Sequence, residues 1–243
     1  MTTSKRRSTA AVQVSAHGDS SRRLVQAARD LVAERGLSGL KVLDVAARAD
    51  ANVALINYHF GGRDGLLDEV IRGMASQIAN DRLDRLSRLL ALDTPPDARE
   101  VLRCWIEPWI ENVELASNRE VMQVMLHLMF AADVDRKRKE HVLESSVKVT
   151  ALYLDTLSNC YPHVPRGKMM WRMLCAIGAS YLVLAQREPV GWNTLAGAEH
   201  PPFEPQMREG ADELVTFILG GFSADSDAVP AKRVRRKNGN RIG

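Results

Sequence analysis

Apolar residues recur along this chain at intervals of three and four rather than two, which predicts helices throughout and no strands. The first stripe is Leu24, Ala27, Ala28, Leu31 and Val32. It predicts a helix over about 21–35, with Ser20 or Ser21 to cap its start and Gly36 to end it. A short helix over about 42–49 turns Val42, Val45, Ala46 and Ala49 inward, and another covers 53–60. A long fourth helix begins near 63 and runs to about 90. Its face carries Leu66, Leu67, Val70, Ile71, Met74, Ile78, Leu86 and Leu90, and Gly73 can mark a bend. The two prolines of LDTPPD, at 92–97, stop it and open the next helix. Further helices are expected over about 98–116, 118–132, 134–160, 168–188 and 206–221, with a long loop at 189–205.

The helix at 53–60 is unusual. It is short, and it is crowded with hydrogen-bonding groups: Asn57, Tyr58 and His59. Together with the helix before it, it reads as a helix-turn-helix. Small Ala46 lets the two helices cross closely. Asp50 supplies a turn residue tolerant of the left-handed conformation, and Asn52 can cap the second helix. Ile56 and Phe60 point into the core and Gly61 supplies the stop. What remains outward is Ala54, Leu55, Asn57, Tyr58 and His59, on a helix of a size that fits the major groove of DNA. The alternative is an ordinary amphipathic hairpin.

Residues 21 to about 75 resemble the DNA-binding domain of the TetR family of bacterial transcriptional regulators. The resemblance rests on AARDLVAERGLSGLKVLDVAARA and then NYHFGGRDGLL, in which Tyr58, His59, Phe60, Gly61, Arg63, Asp64, Leu66 and Leu67 match. It implies an all-α protein. An N-terminal three-helix helix-turn-helix domain (21–75) is joined by the long helix to a larger helical ligand-binding and dimerisation domain (76–223), between basic tails at 1–20 and 224–243 expected to be disordered. It also implies a homodimer that reads a palindromic operator in double-stranded DNA. Such a protein is a repressor released by a small, largely apolar and lipid-like effector. Tyr58, His59 and Arg63 are the implied phosphate contacts. Asn57 is the candidate base reader, since Asn pairs bidentately with adenine. Ala54 and Leu55 suit thymine methyls, and Asn52 is a cap or a contact. The chain departs from the family at Leu40 and Lys41, where Thr or Ser is usual, and at Asp50, where Gly is frequent. Lys41 can still meet a phosphate.

For the effector, the flexible apolar side chains of the second domain are the candidates: Met122, Met125, Met129 and Met173, with Trp105 and Trp109 on either side of the helix-kinking Pro108. Small residues along MMWRMLCAIGASYLVLAQ, with Leu214, Phe217 and Ile218 from the last helix, are expected to build the dimer face.

Charge and composition narrow the field. The net charge of +3 is carried by the tails, +2 over 1–20 and +4 over 224–243, leaving −3 for the rest, so the tails can meet phosphates without specificity. Cys104, Cys160 and Cys175 are odd in number and far apart, which argues against a disulfide framework or a zinc site. The six histidines are scattered, and no GxSxG, P-loop, HExxH or CxxC motif occurs, so neither an enzyme nor a metal or other cofactor is expected. No run approaches the roughly 20 apolar residues of a membrane helix, and the N-terminus lacks a secretion signal, so a cytoplasmic protein is expected. A ligand-independent architectural DNA-binding protein is the rival reading.

Overall fold

The computed structural model describes residues 4–113, 120, 121, 123–125, 127, 128, 134–185 and 207–224. The helices are α1 (Ser4–Arg35), α2 (Val42–Arg48), α3 (Val53–Phe60), α4 (Arg63–Leu90), α5 (Ala98–Val113), α6 (Arg136–Cys160), α7 (Arg166–Ala185) and α8 (Met207–Ser223). A single 3-10 turn, Leu37–Gly39, lies between α1 and α2. The described residues of 120–128 are also helical, and no described residue is in a strand. Most ends fall within the one or two residues by which helix termini fray.

The start of α1 differs. The helix begins at Ser4, not near Ser21. The physical reason is local: the segment before Ser21 contains Ala10, Ala11 and Ala16, has no proline, and has its only glycine at Gly18, so nothing stops the helix before Arg35. The expected loop at 189–205, the expected tail over 225–243, and Met122 and Met129 lie outside the described residues.

α1, α2, α3 and the first turns of α4 form the head. Its core is Leu24, Ala28, Leu31, Leu40, Val45, Ile56, Leu66 and Ile71, all essentially buried. The later turns of α4 pass into the body, where they pack on α5 and α6, while α8 packs on α5 and α7. One helix therefore belongs to both cores.

The join between them is polar. Asp68 on α4 receives both Arg138 Nε and Nη2 from α6 at 2.7 Å each, and Glu69 lies 2.8 Å from His141 Nε2. Ser76 and Ser145 are 3.1 Å apart through their hydroxyls. At the other side, Leu37 N–H donates to Glu120 Oε2 at 2.5 Å, tying the turn after α1 to the body. Among the described residues no helix is long and apolar enough to cross a membrane.

Candidate nucleic-acid interface and effector site

The turn between α2 and α3 is built by its residue types. Asp50 is the one non-glycine with positive φ (47°) among the described residues, a conformation that Asp and Asn tolerate better than most. Asn52 is extended and its side-chain oxygen accepts from Ala54 N–H at 2.9 Å, so it caps α3. Gly61 closes α3 in the left-handed conformation at φ 72°, its N–H donating to the Asn57 carbonyl.

With roughly 100° between successive residues of a helix, Ile56 fixes which face of α3 is inward. Ile56 is fully buried, and Val53 and Phe60 pack beside it. Ala54 and Tyr58 lie opposite, both exposed, Tyr58 to 71%. Asn57 is exposed on one flank. Leu55 lies on the other flank, but it is half-buried and packs against the head core. Part of its side chain still reaches solvent.

His59 is partly buried. Its Nε2 is 3.3 Å from Ser20 Oγ, and its ring meets that of Tyr58 edge-on at 5.1 Å. α1 thereby holds the orientation of both rings. Lys41 is exposed at the N-cap position of α2 and makes no side-chain cap. Arg63 is used partly inside the head: Nε donates to Leu40 O at 3.0 Å and Nη2 to Leu37 O at 3.4 Å, bracing the turn before α2, while about half of the side chain stays exposed. Lys41, Ala54, Asn57 and Tyr58 of the helix-turn-helix are thus exposed, as is the outer part of Arg63.

In the body, Trp105, Trp109, Met125 and Met173 are all buried. The two tryptophans frame a residue that the sequence reading passed over. Arg82, on α4, is 3% exposed, with its guanidinium carbon 3.7 Å from the Trp105 ring centre and 5.3 Å from that of Trp109. Its Nε donates to the Trp105 carbonyl at 2.7 Å, in the α5 turn that Pro108 interrupts. Tyr153 Oη donates to the Arg82 carbonyl at 2.7 Å and meets Trp105 edge-on, while Tyr181 meets Trp109 likewise. The signal was present in the sequence: Met74, Ile78, Arg82 and Leu86 form one row at four-residue spacing, with a single charge in it. A cleft of about 330 Å³ lies instead where head meets body, between Arg29, Asp30, Met74, Gln77, Asn112 and Val121, and of the expected effector residues the four described ones, Trp105, Trp109, Met125 and Met173, do not line it.

A two-helix reading element on a small head, carried by a long helix into a helical body, defines a class of DNA-binding regulators. The family model for "Bacterial regulatory proteins, tetR family" matches residues 24–70, and that for "Tetracyclin repressor-like, C-terminal domain" matches 103–221. The chain belongs to the TetR family. Members of this family are non-enzymatic DNA-binding transcriptional regulators. Among curated relatives, a helix-turn-helix transcriptional repressor of Mycobacterium tuberculosis is 36% identical over 77 residues, 32% of this chain and 37% of that protein. The regulator BetI 1 of Chromohalobacter salexigens is 31% identical over 107 residues, 43% of this chain and 48% of that one. The chain thus spans less than half the length of either relative. Among solved structures, a TetR-like transcriptional regulator from Rhodococcus sp. RHA1 aligns with a TM-score of 0.52 at 16% identity, covering 85% of this chain and 97% of that one. A second Rhodococcus regulator gives 0.53 at 19%, covering 83% and 96%. At such identities these two share the fold.

Proposed function

We propose that the protein is a cytoplasmic, homodimeric transcriptional repressor that binds a palindromic operator and is released by a small, largely apolar effector held in the body. The observation that carries the DNA reading is the outward face of α3. Ala54, Asn57 and Tyr58 are exposed there while Val53, Leu55, Ile56 and Phe60 of that helix are engaged with the head. Tyr58, Lys41 and the outer edge of Arg63 hold phosphates, with His59 setting the Tyr58 ring. Such contacts position the head, and Asn57 reads a base.

An unused apolar surface on the body supports the dimer. Trp171, Leu174 and Leu182 of α7 are exposed, Trp171 to 70%, as is Phe217 of α8 to 73%. Gly178 on α7 and Gly220 and Gly221 on α8 have open space where a Cβ would stand, so a second pair of helices can approach closely. Leu214 and Ile218, expected on this surface, are buried in the chain's own core. They fall one turn apart on the inner face of α8, and Phe217 alone of the three points away.

The test of the DNA face is Tyr58→Ala, with affinity followed across salt concentrations. Binding weakens on all duplexes alike and the salt dependence flattens. Unchanged affinity and slope in a folded protein would contradict the placement. The architectural reading draws on the buried state of Trp105, Trp109, Met125 and Met173; it predicts DNA affinity indifferent to any small molecule.

A further inference from the structure

Three polar side chains are buried among the described residues: Arg82, Thr156 and Ser180. Thr156 and Ser180 are accounted for, since each hydroxyl donates to the carbonyl one helical turn back, Leu152 at 2.9 Å and Ala176 at 2.7 Å. Arg82 is not. Its Nη2 is buried without a hydrogen-bond partner, and no carboxylate is among the groups that act on its charge. The nearest ionisable groups that act on it are the phenols of Tyr153 and Tyr181. Burial pushes its pKa down to about 10, which still leaves a full positive charge at neutral pH.

A buried, unpaired cation is a costly feature in a helical core. The Trp105 face and the Trp105 carbonyl offset part of that cost. They satisfy the flat face and the Nε end of the guanidinium and leave Nη2 buried without a hydrogen-bond partner. The Nη2 edge is the part of an arginine that a carboxylate engages.

We propose that Arg82 anchors an anionic effector: the carboxylate of a monoanionic organic acid takes the Nη2 edge, and its aromatic or apolar remainder lies against Trp105 and Trp109. This rests on the effector reading above and narrows its chemistry from an apolar molecule to an apolar acid. A single negative charge matches a single guanidinium, whereas a phosphate dianion would leave excess charge buried. The wall of this site is α5 at Pro108, where the helix lacks one internal hydrogen bond and yields most easily. Arg82 also lies on α4, the helix that enters the head, so an anion bound there acts on the element that carries the reading helix.

The test uses the full chain and matched probe pairs: phenylacetate with phenylacetamide, indole-3-acetate with indole-3-acetamide, and decanoate with decanamide. Quenching of tryptophan fluorescence reads binding. At least one acid binds saturably and at least about tenfold more tightly than its amide, the size of one charge-assisted hydrogen bond. Arg82→Met removes that preference, and without probe its melting temperature equals or exceeds that of the parent, because relief of a buried charge with no counter-ion offsets the lost bond to the Trp105 carbonyl. Equal affinity for acid and amide, no saturable binding by any of the acids, or a preference that survives Arg82→Met would overturn the proposal. A melting temperature lower by about 4 °C or more would make the arginine a structural group and overturn it too. Should that variant not fold, the acid-against-amide comparison on the parent chain decides alone. DNA affinity is measured alongside. Acid binding at Arg82 that leaves DNA affinity unchanged would keep this site and remove the effector-released reading, whereas release of DNA by an amide and its acid alike would do the reverse.

Discussion

Gly65 has no room for a side chain, since a Cβ there would lie 1.8 Å from the Phe60 carbonyl oxygen. The start of α4 therefore sits directly on the end of α3, and the angle at which the reading helix leaves the head is set by backbone contact. Gly65→Ala forces these backbones apart and is expected to destabilise the head by about 1–3 kcal/mol, measured by denaturant unfolding. It should weaken DNA binding beyond that loss, because Asn57 and Tyr58 move with α3. Asn57→Ala tests a different role at the same scale. It removes base reading, so discrimination between the preferred duplex and one altered at a single pair falls by about 1–3 kcal/mol while affinity for random DNA barely changes. The residues most legible in the sequence were those whose chemistry is local. Asp50 in its left-handed turn, Asn52 as a cap and Gly61 as a stop each act within four residues of themselves. Leu55 and Arg63 were harder to place, because what they touch comes from elsewhere in the head: its core for Leu55, Leu37 and Leu40 for Arg63.

At the scale of the element, α4 is the helix to follow. Its first turns lie in the head and its last in the body, and the clasp to α6 is made in its second turn by Asp68 and Glu69. Arg138→Ala breaks the bidentate pair with Asp68. It is expected to cost about 1–3 kcal/mol in stability and to reduce the change in DNA affinity that an effector produces, measured as the ratio of affinities with and without effector. The clasp is also sensitive to acid. Burial raises the pKa of the Glu69 carboxyl, but hydrogen bonds from Arg72 and His141 outweigh that and hold it below the ordinary carboxylate value. A carboxyl depressed in the folded state contributes its stabilisation in full above the ordinary carboxylate range and loses it as pH falls through the depressed value. Glu69→Gln should therefore be less stable than the parent near neutrality and converge with it in acid, as followed by thermal melts across pH. The extent of α4 was readable from its apolar row. Arg82 was not read from that row because a charge at four-residue spacing breaks an apolar pattern without announcing whether it faces water or tryptophan. The helical start of α1 at Ser4 was likewise missed, because the helix formers Ala10, Ala11 and Ala16 carry no large apolar stripe to signal it.

At the scale of the whole molecule, the proposed dimer is a lever between two copies. Trp171, Leu174, Leu182 and Phe217 are exposed on α7 and α8, and in that dimer a second copy covers them. Phe217→Arg places a charge in that surface and should yield monomers by sedimentation, with DNA affinity falling far below that of the dimer because only one head engages at a time. Two heads held by one body present their reading helices about 34–36 Å apart, one turn of DNA. The family's second domain was legible only as a run of helices of suitable length. Its cores are assembled from residues distant in sequence, so Leu214 and Ile218 could not be assigned inward, nor Phe217 outward, from their spacing alone.

The most direct test of this account is selection of random duplex DNA by the full chain at near-physiological salt, followed by sequencing of what is retained. The account predicts an enriched inverted repeat whose half-sites are centred about 10 base pairs or a multiple of the helical turn apart, and predicts that Asn57→Ala relaxes the choice of base at matched positions in both halves. Retention of DNA with no common sequence, or of a lone half-site by a folded dimer, would contradict it.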